Sequence, residues 1–509
     1  MNNPNNNNNF NHANNINNFN TNNFPNNFNQ LQNNNFNQFN PLMNNTFQNQ
    51  MPNMNLMFSN SMSQLSLNSF NSSPNCINQI YNNMNMNPMN NNSQNSFNSN
   101  SNPNQIINNN TINNNQNNQK PISNISEEFK ILFGEEVDAK SYFPFVGLRN
   151  VGLTCYMNST LQCLLHIPEL NYYFINIYAN KKDELDKINK SSETQGKLSK
   201  TYYQLLLEIF NKMHQHNVND ENSINNRFKV SPQQFHNIIG YFNPQFREIA
   251  ANDSKDLLIY LFQSMHEELN YYGDKKLENV PRCNQEIPQE ALNFFTIVND
   301  NLNLSIFSYL FYGIFKSETE CLTCHNKFYN FQHFQIISFP LYSYAKNKIF
   351  NIYQGFKDFI NPERMEGDNQ CLCKRCGQLR DCEVSTKIFT SPPYLIINLD
   401  YGKNKKYDPQ KITFSESLDL SGFTEEDTQK ISYKLVAVSS HIGKSGNSGH
   451  YIAYCKDPSD NQWYEFNDSS ISKAKLDDVK NYSPYFLIYK KEKRYLINMA
   501  KPENISGNQ

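Results

Sequence analysis

Apolar positions along the chain follow two different rhythms. Between Ser159 and Leu170, Leu161, Leu164 and Leu165 recur at helical spacing, and Tyr202–Met213 and Asp256–Leu269 carry the same 3.6-residue pattern. The polar stretch from Lys181 to Lys200 reads as a loop or an exposed helix. The later half changes rhythm. "FQIISFPLY", "PPYLIINLDY", "YKLVAVSSH", "HYIAYCK" and "PYFLIYKK" are short, rich in β-branched and aromatic residues, and bounded by turn formers, as strands are. Helices first and strands later predict an α+β fold of two lobes, not alternating βαβ units.

No such rhythm is found before Lys120. Residues 1–119 contain no Lys, Arg, Asp or Glu and are dominated by Asn, with Gln, Ser, Phe and Met scattered through them. Such a segment cannot bury enough apolar surface to offset roughly 1–2 kcal/mol of backbone entropy per residue. The sequence therefore predicts a disordered Asn-rich arm over 1–120, a linker over 121–144, a folded region over 145–492 and a tail over 493–509. The arm either is a passive tail or drives self-association.

The 509 residues carry a net charge of −2, so no basic field points to nucleic acid. No apolar run is long enough to span a bilayer, and the N-terminus lacks the pattern of a secretory signal, so no membrane role is expected. Eleven cysteines, an odd number, fit reduced thiols in the cytoplasm or nucleus better than a disulfide framework.

Candidate chemistry lies in two segments. In "GLRNVGLTCYMNSTLQCLL", Cys155 stands a few residues ahead of the helical pattern, where the positive end of a helix favours thiolate. Gly147 and Gly152 allow tight turns ahead of it, and Asn150 can donate a side-chain N–H to an oxyanion. Cys163, inside the apolar pattern, reads as a buried core residue, and a lone Cys155 would read the same way without partners. The partners lie in "YKLVAVSSHIGKSGNSGHYIAYCKDPSDNQWYEFNDSSIS". There His450 enters a strand from a loop containing Gly443, Gly446 and Gly449. A hairpin from Trp463 would return Asn467 and Asp468 beside it. A nucleophilic thiol needs a base, and the base needs a third group to orient it; Asn467 or Asp468 serves. His441 has no evident orienting partner and reads as structural.

Together the two segments resemble the ubiquitin-specific protease family over about Phe145–Lys491, with "PYFLIYKK" as the closing strand. The resemblance implies a papain-like cysteine protease with a helical thumb (about 145–290), zinc-ribbon fingers (about 300–390) and a β palm (about 391–492). It implies Cys155 as nucleophile, His450 as general base and acid, Asn467 as the group orienting His450 with Asp468 as second candidate, and Asn150 in the oxyanion hole. The implied activity is deubiquitination, the hydrolysis of the peptide or isopeptide bond at the C-terminal glycine of ubiquitin; the implied partners are ubiquitin and ubiquitinated proteins. "ANDSKDLLIYLFQSMHEEL" resembles the family's Gln-Gln-Asp box with Ala251 and Asn252 in place of the two glutamines, and it implies that Asp253 helps hold the ubiquitin tail. Asp400-Tyr401-Gly402 replaces the family's usual Lys-Arg-Phe.

Cys321-Leu-Thr-Cys324 and Cys373-Lys-Arg-Cys376 are two Cys-x-x-Cys pairs, each able to wrap two thiolates onto one tetrahedral Zn²⁺. Zinc bound by all four would be structural; no catalytic cofactor is expected. Cys371 and Cys382 are nearby alternatives to Cys373, and a cluster of free thiols is the other reading.

Overall fold

Cys155–Leu165 is buried along its whole length, so this helix is central, with no solvent face. The computed structural model describes residues 143–214, 229–248, 250–273, 280–299, 303–344, 349–402, 412–425, 430–445, 448–481 and 483–492. The Asn-rich arm, the linker up to residue 142, Gly446 and the tail after residue 492 lie outside the described residues.

The chain enters through a short strand, β1 (Gly147–Leu148), then runs through α1 (Cys155–Leu165) and α2 (Pro168–Tyr172). The single helix expected over Ser159–Leu170 is thus two. Pro168 has no N–H to continue α1 and instead opens α2 at its first turn. A π-helical turn (Tyr173–Tyr178) leads to α3 (Ala179–Ile188), so the polar stretch is partly helical. There follow α4 (Lys197–His214), β2 (Lys229–Val230), which pairs with β1, and α5 (Gln233–Phe242). The helical lobe then adds α6 (Ser254–Leu269), α7 (Pro288–Val298) and α8 (Ile306–Phe311).

An antiparallel hairpin follows, β3 (Gly313–Cys321) and β4 (Lys327–Phe334), and then β5 (Ile336–Pro340), β6 (Phe350–Asn351) and α9 (Ile352–Ile360). Next come β7 (Glu363–Met365), β8 (Cys371–Cys373), β9 (Gln378–Arg380) and β10 (Cys382–Thr390). The final run is β11 (Tyr394–Asp400), β12 (Ile412–Thr413), β13 (Ser417–Asp419), β14 (Ser432–Ser445), β15 (Ser448–Lys456), β16 (Trp463–Asn467), β17 (Ser470–Ala474), α10 (Leu476–Asn481) and β18 (Ser483–Lys491).

Two sheets matter for the site. The large one runs β17-β16-β15-β14-β18-β11-β5, with β13 on β14, and the smaller one runs β4-β3-β10-β7. A separate β8–β9 ribbon carries one cysteine pair. The finger range expected over 300–390 does not hold as one block. Residues Ile306–Phe311 pack in the helical lobe, and β5 pairs in parallel with β11 inside the large sheet. Parallel pairing needs a long crossover; here β7 and β10 of the smaller sheet are part of it.

Period-two alternation divides the large sheet into two faces. Ala437, Ala453, Cys455, Phe486 and Ile488 face the helices; Val438, Ile452, Tyr454, Leu487 and Tyr489 pack on the opposite side with α9 and Trp463. Polar residues of the buried α1 find partners in both lobes. Ser159 Oγ lies 2.7 Å from Ser439 Oγ and donates to Ile452 O at 3.0 Å, and Thr160 Oγ1 donates to Ser254 O at 3.1 Å. These bonds seat α1 between sheet and helices, which places its N-terminus at the cleft.

Candidate active site

The loop before α1 is shaped by one amide side chain. Asn150 Oδ1 accepts from Gly152 N at 3.1 Å and from Thr154 N at 3.0 Å. Cys155 is the first residue of α1, closer to the helix than its sequence pattern suggested, and its thiol stands by the His450 ring, close enough to be the chief cause of that ring's raised basicity. A thiol at this position meets the unpaired N–H groups and positive dipole end of the helix.

His450 comes from β15, where it is cross-strand neighbour to Ile442. Its Nε2 donates to Asn467 Oδ1 at 2.7 Å, which leaves Nδ1 as the nitrogen available to the thiol. Asp468 stands farther off, with Oδ2 at 3.9 Å from the same Nε2. The imidazole is pushed up to about 9, chiefly by its hydrogen bond with Cys155; burial opposes the shift, while the bond to Asn467 and the charges of Cys155 and Asp468 add to it.

Asn467 and Asp468 reach the site through the β16–β17 hairpin, in which Asn467 pairs with Ser470 across the two-residue turn Asp468-Ser469. Asp468 takes a left-handed φ of +48°, which Asp tolerates. The turn is docked on β1: Leu148 N donates to Asp468 O at 2.9 Å, and a Cβ at Gly147 would lie 2.4 Å from Ser469 O. The Asp468 carboxylate then receives two amides, Asn150 Nδ2 on Oδ2 at 3.0 Å and Asn158 Nδ2 on Oδ1 at 2.7 Å. Asn158, buried on α1, also donates to Leu148 O at 3.2 Å.

The structure thus brings together Cys155, His450, Asn467, Asp468 and Asn150. Asn158, which the sequence reading passed over, belongs to the same assembly, and so does Gly147, which was read as a turn former but lies in β1 and admits the close approach of Ser469. A polar residue one turn after Cys155, on a helix with apolar neighbours, was the available signal for Asn158. Asp253 does not join the group. It caps α6, with Oδ1 accepting from Lys255 N at 2.8 Å, and its Oδ2 accepts from the Tyr485 hydroxyl. The Tyr485 ring meets Tyr451, the neighbour of His450. His441 is buried, and its ring fills the space a side chain at Gly449 would need, with Cε1 2.4 Å from the Cβ position. That packing accounts for both residues. Cys163 is buried in the core as its pattern indicated.

Away from the cleft, Cys321, Cys324, Cys373 and Cys376 bring their four sulfurs within 4.8 Å of one another. The Cys324–Cys373 and Cys321–Cys376 sulfurs lie 3.6 and 4.0 Å apart. Four thiolates at about 2.3 Å from one tetrahedral ion would lie about 3.8 Å apart, so the cluster fits a metal ion. Cys371 and Cys382 pack beside it in the same apolar cluster but outside the four.

Fold and site together define an α+β protein with a cysteine–histidine–asparagine site: the thiol comes from a helix N-terminus, the imidazole from the facing sheet. The family model described as ubiquitin carboxyl-terminal hydrolase matches residues 146–489, and the chain belongs to that family. Among curated relatives, it is 27% identical over 366 residues to ubiquitin carboxyl-terminal hydrolase 2 of Bos taurus, covering 70% of this chain and 56% of that protein. It is 28% identical over 364 residues to ubiquitin carboxyl-terminal hydrolase Usp2 of Drosophila melanogaster, covering 68% and 34%. To ubiquitin carboxyl-terminal hydrolase 5 of Saccharomyces cerevisiae it is 28% identical over 353 residues, covering 64% and 42%. The chain spans about half or less of the length of these relatives.

Proposed function

We propose that this protein is a deubiquitinase that hydrolyses the peptide or isopeptide bond at the C-terminal glycine of ubiquitin. The observation that carries the reading is the meeting of Cys155, His450 and Asn467, in which the ring donates to its orienting amide at 2.7 Å and is made more basic chiefly by the neighbouring thiol. Membership of the ubiquitin carboxyl-terminal hydrolase family supplies the substrate class.

In the first half-reaction His450 takes the thiol proton and Cys155 Sγ attacks the carbonyl carbon. Asn467 accepts from Nε2 and so fixes the imidazole as the reacting tautomer. The negative oxygen is met by Asn150 and by the backbone N–H of Cys155. Asn150 uses one amide hydrogen on Asp468 and keeps the other for the oxyanion. A donor of this kind is worth about 2.7–4 kcal/mol in the barrier. The C–N bond then breaks as His450 returns its proton to the leaving amine. Water, deprotonated by His450, opens the thioester and restores the thiol.

Asp468 serves as a positioning residue, holding Asn150 with one oxygen and α1 with the other. Asp253 contributes by capping α6 and accepting from the Tyr485 hydroxyl, beside the Tyr485–Tyr451 pair next to His450, and so would help hold the ubiquitin tail there. The four clustered cysteines would hold one structural Zn²⁺, which ties β8 and β9 to the end of β3 and does no chemistry. Ubiquitin and ubiquitinated proteins are the partners this reading requires.

The test is a ubiquitin bearing a thiol-reactive electrophile at its C-terminus. The protein is expected to gain the mass of one ubiquitin, and Cys155→Ala to gain none. Folded protein that binds ubiquitin but neither reacts with the probe nor cleaves any conjugate would make it a receptor instead.

A further inference from the structure

Leu153 occupies an unfavourable place for a leucine. Its φ is +50°, in the left-handed region, and its side chain is 55% exposed. That conformation costs an L-residue roughly 1–2 kcal/mol, and Gly, Asn and Asp bear it best. The other described non-glycine residues with positive φ, Gln195, His325, Asn461 and Asp468, are all polar. Exposure means that the isobutyl group recovers little of the cost by burial, and Leu153 belongs to none of the hydrophobic clusters among the described residues.

The backbone conformation itself has a clear cause. Asn150 Oδ1 accepts from Gly152 N and Thr154 N, the residues on either side. That geometry holds residue 153 left-handed whatever its side chain, so glycine or asparagine would satisfy the loop at lower cost. The leucine side chain therefore answers to something outside the described residues, and its place beside the nucleophile points to the substrate. Residues in such sparsely populated conformations concentrate at functional sites.

Leu153 lies two residues before Cys155, so what it meets lies near the scissile bond. On the acyl side the substrate proposed above ends in glycine, which has no side chain. On the leaving side an isopeptide-linked lysine presents four methylenes. We infer that Leu153 is a specificity-determining residue that packs against the aliphatic stem of the leaving lysine and favours isopeptide over ordinary peptide bonds. This rests on the deubiquitinase reading.

Two fluorogenic substrates test it: ubiquitin joined to the Nε of lysine in a labelled Lys-Gly dipeptide, and ubiquitin joined to the α-amine of a labelled Gly-Gly dipeptide. Leu153→Asn is expected to lower the isopeptide-to-peptide ratio of kcat/KM by roughly five- to tenfold, the scale of burying one to two methylenes. Leu153→Met, which keeps an apolar side chain, is expected to hold the ratio within about twofold. The melting temperature of Leu153→Asn should equal or exceed that of the parent protein, which separates lost contact from lost folding. An unchanged ratio in Leu153→Asn, or an equal fall on both substrates, overturns the proposal. A parent protein that cleaves neither substrate shows the underlying deubiquitinase reading, and this proposal with it, to be wrong before any variant is compared.

Discussion

Asp468 holds Asn150 by its side-chain amide, with Oδ2 accepting from Nδ2 at 3.0 Å, across 318 positions of sequence. The same carboxylate takes Asn158 on its other oxygen. The group that would stabilise an oxyanion is thus aimed by the residue next to the one that orients the base. Asp468→Asn can accept only one of the two amides. It is expected to lower kcat on a fluorogenic ubiquitin substrate by about 10–10²-fold with KM changed little, since full loss of an oxyanion donor costs about 10²–10³-fold. A rise in KM with kcat intact would assign Asp468 to ubiquitin binding.

Asn467→Ala removes the acceptor of His450 Nε2. The imidazole then loses its fixed tautomer, and kcat should fall on the order of 10²-fold or more. The histidine, now at about 9, should titrate lower but stay above its ordinary range, because its largest support, the bond to Cys155, remains. NMR titration of the ring reads this directly. A value unmoved by the substitution would show that Asn467 does not support the imidazolium.

Gly147→Ala tests the docking of the hairpin. A Cβ there meets backbone of Ser469 at 2.4–2.8 Å, which cannot yield as a flexible side chain would. The turn carrying Asp468 must then move off β1. We expect about 2 kcal/mol or more of lost stability, together with loss of probe labelling. Denaturant unfolding and labelling with the ubiquitin electrophile measure the two effects.

Metal analysis of purified protein should find one zinc per chain. Cys324→Ser should lower that ratio and the melting temperature together, because a structural site contributes its binding energy to folding. Active, folded protein without zinc would refute the assignment.

Stability should depend on pH from both sides. Burial lowers His166 and His266 to about 4 from the ordinary 6.5. Their contribution is complete above 6.5 and is lost as pH falls toward 4, because the unfolded chain binds protons first. The gap between 6.5 and about 4 corresponds to on the order of 3 kcal/mol for each. His450 works in the opposite sense. Raised to about 9, it stabilises the fold below 6.5 and loses that effect as pH rises through 9. Melting temperatures between pH 4 and 10 check both, and the alkaline decline should shrink in His450→Ala.

Much of this was legible in the residues alone. The strands that form the centre of the large sheet each declared themselves by short apolar runs, because local backbone preference and alternation need no knowledge of neighbours. "FQIISFPLY" read correctly as a strand, yet its place beside β11 was invisible, since parallel pairing joins segments some 60 residues apart. The split of α1 from α2 was readable at Pro168 and was passed over.

The sequence by itself determined the chemistry available to this protein: a thiol before a helix, a histidine entering a strand, two amide-or-acid candidates after an aromatic residue, and four paired cysteines. Only the tertiary structure decided how these divide the work. Asn467 took His450 and Asp468 took Asn150 because the two-residue turn sits on the backbone of Gly147 and Leu148, sending neighbouring side chains to different partners. That choice depends on contacts between chain segments over 300 residues apart, and no local pattern of residues encodes it.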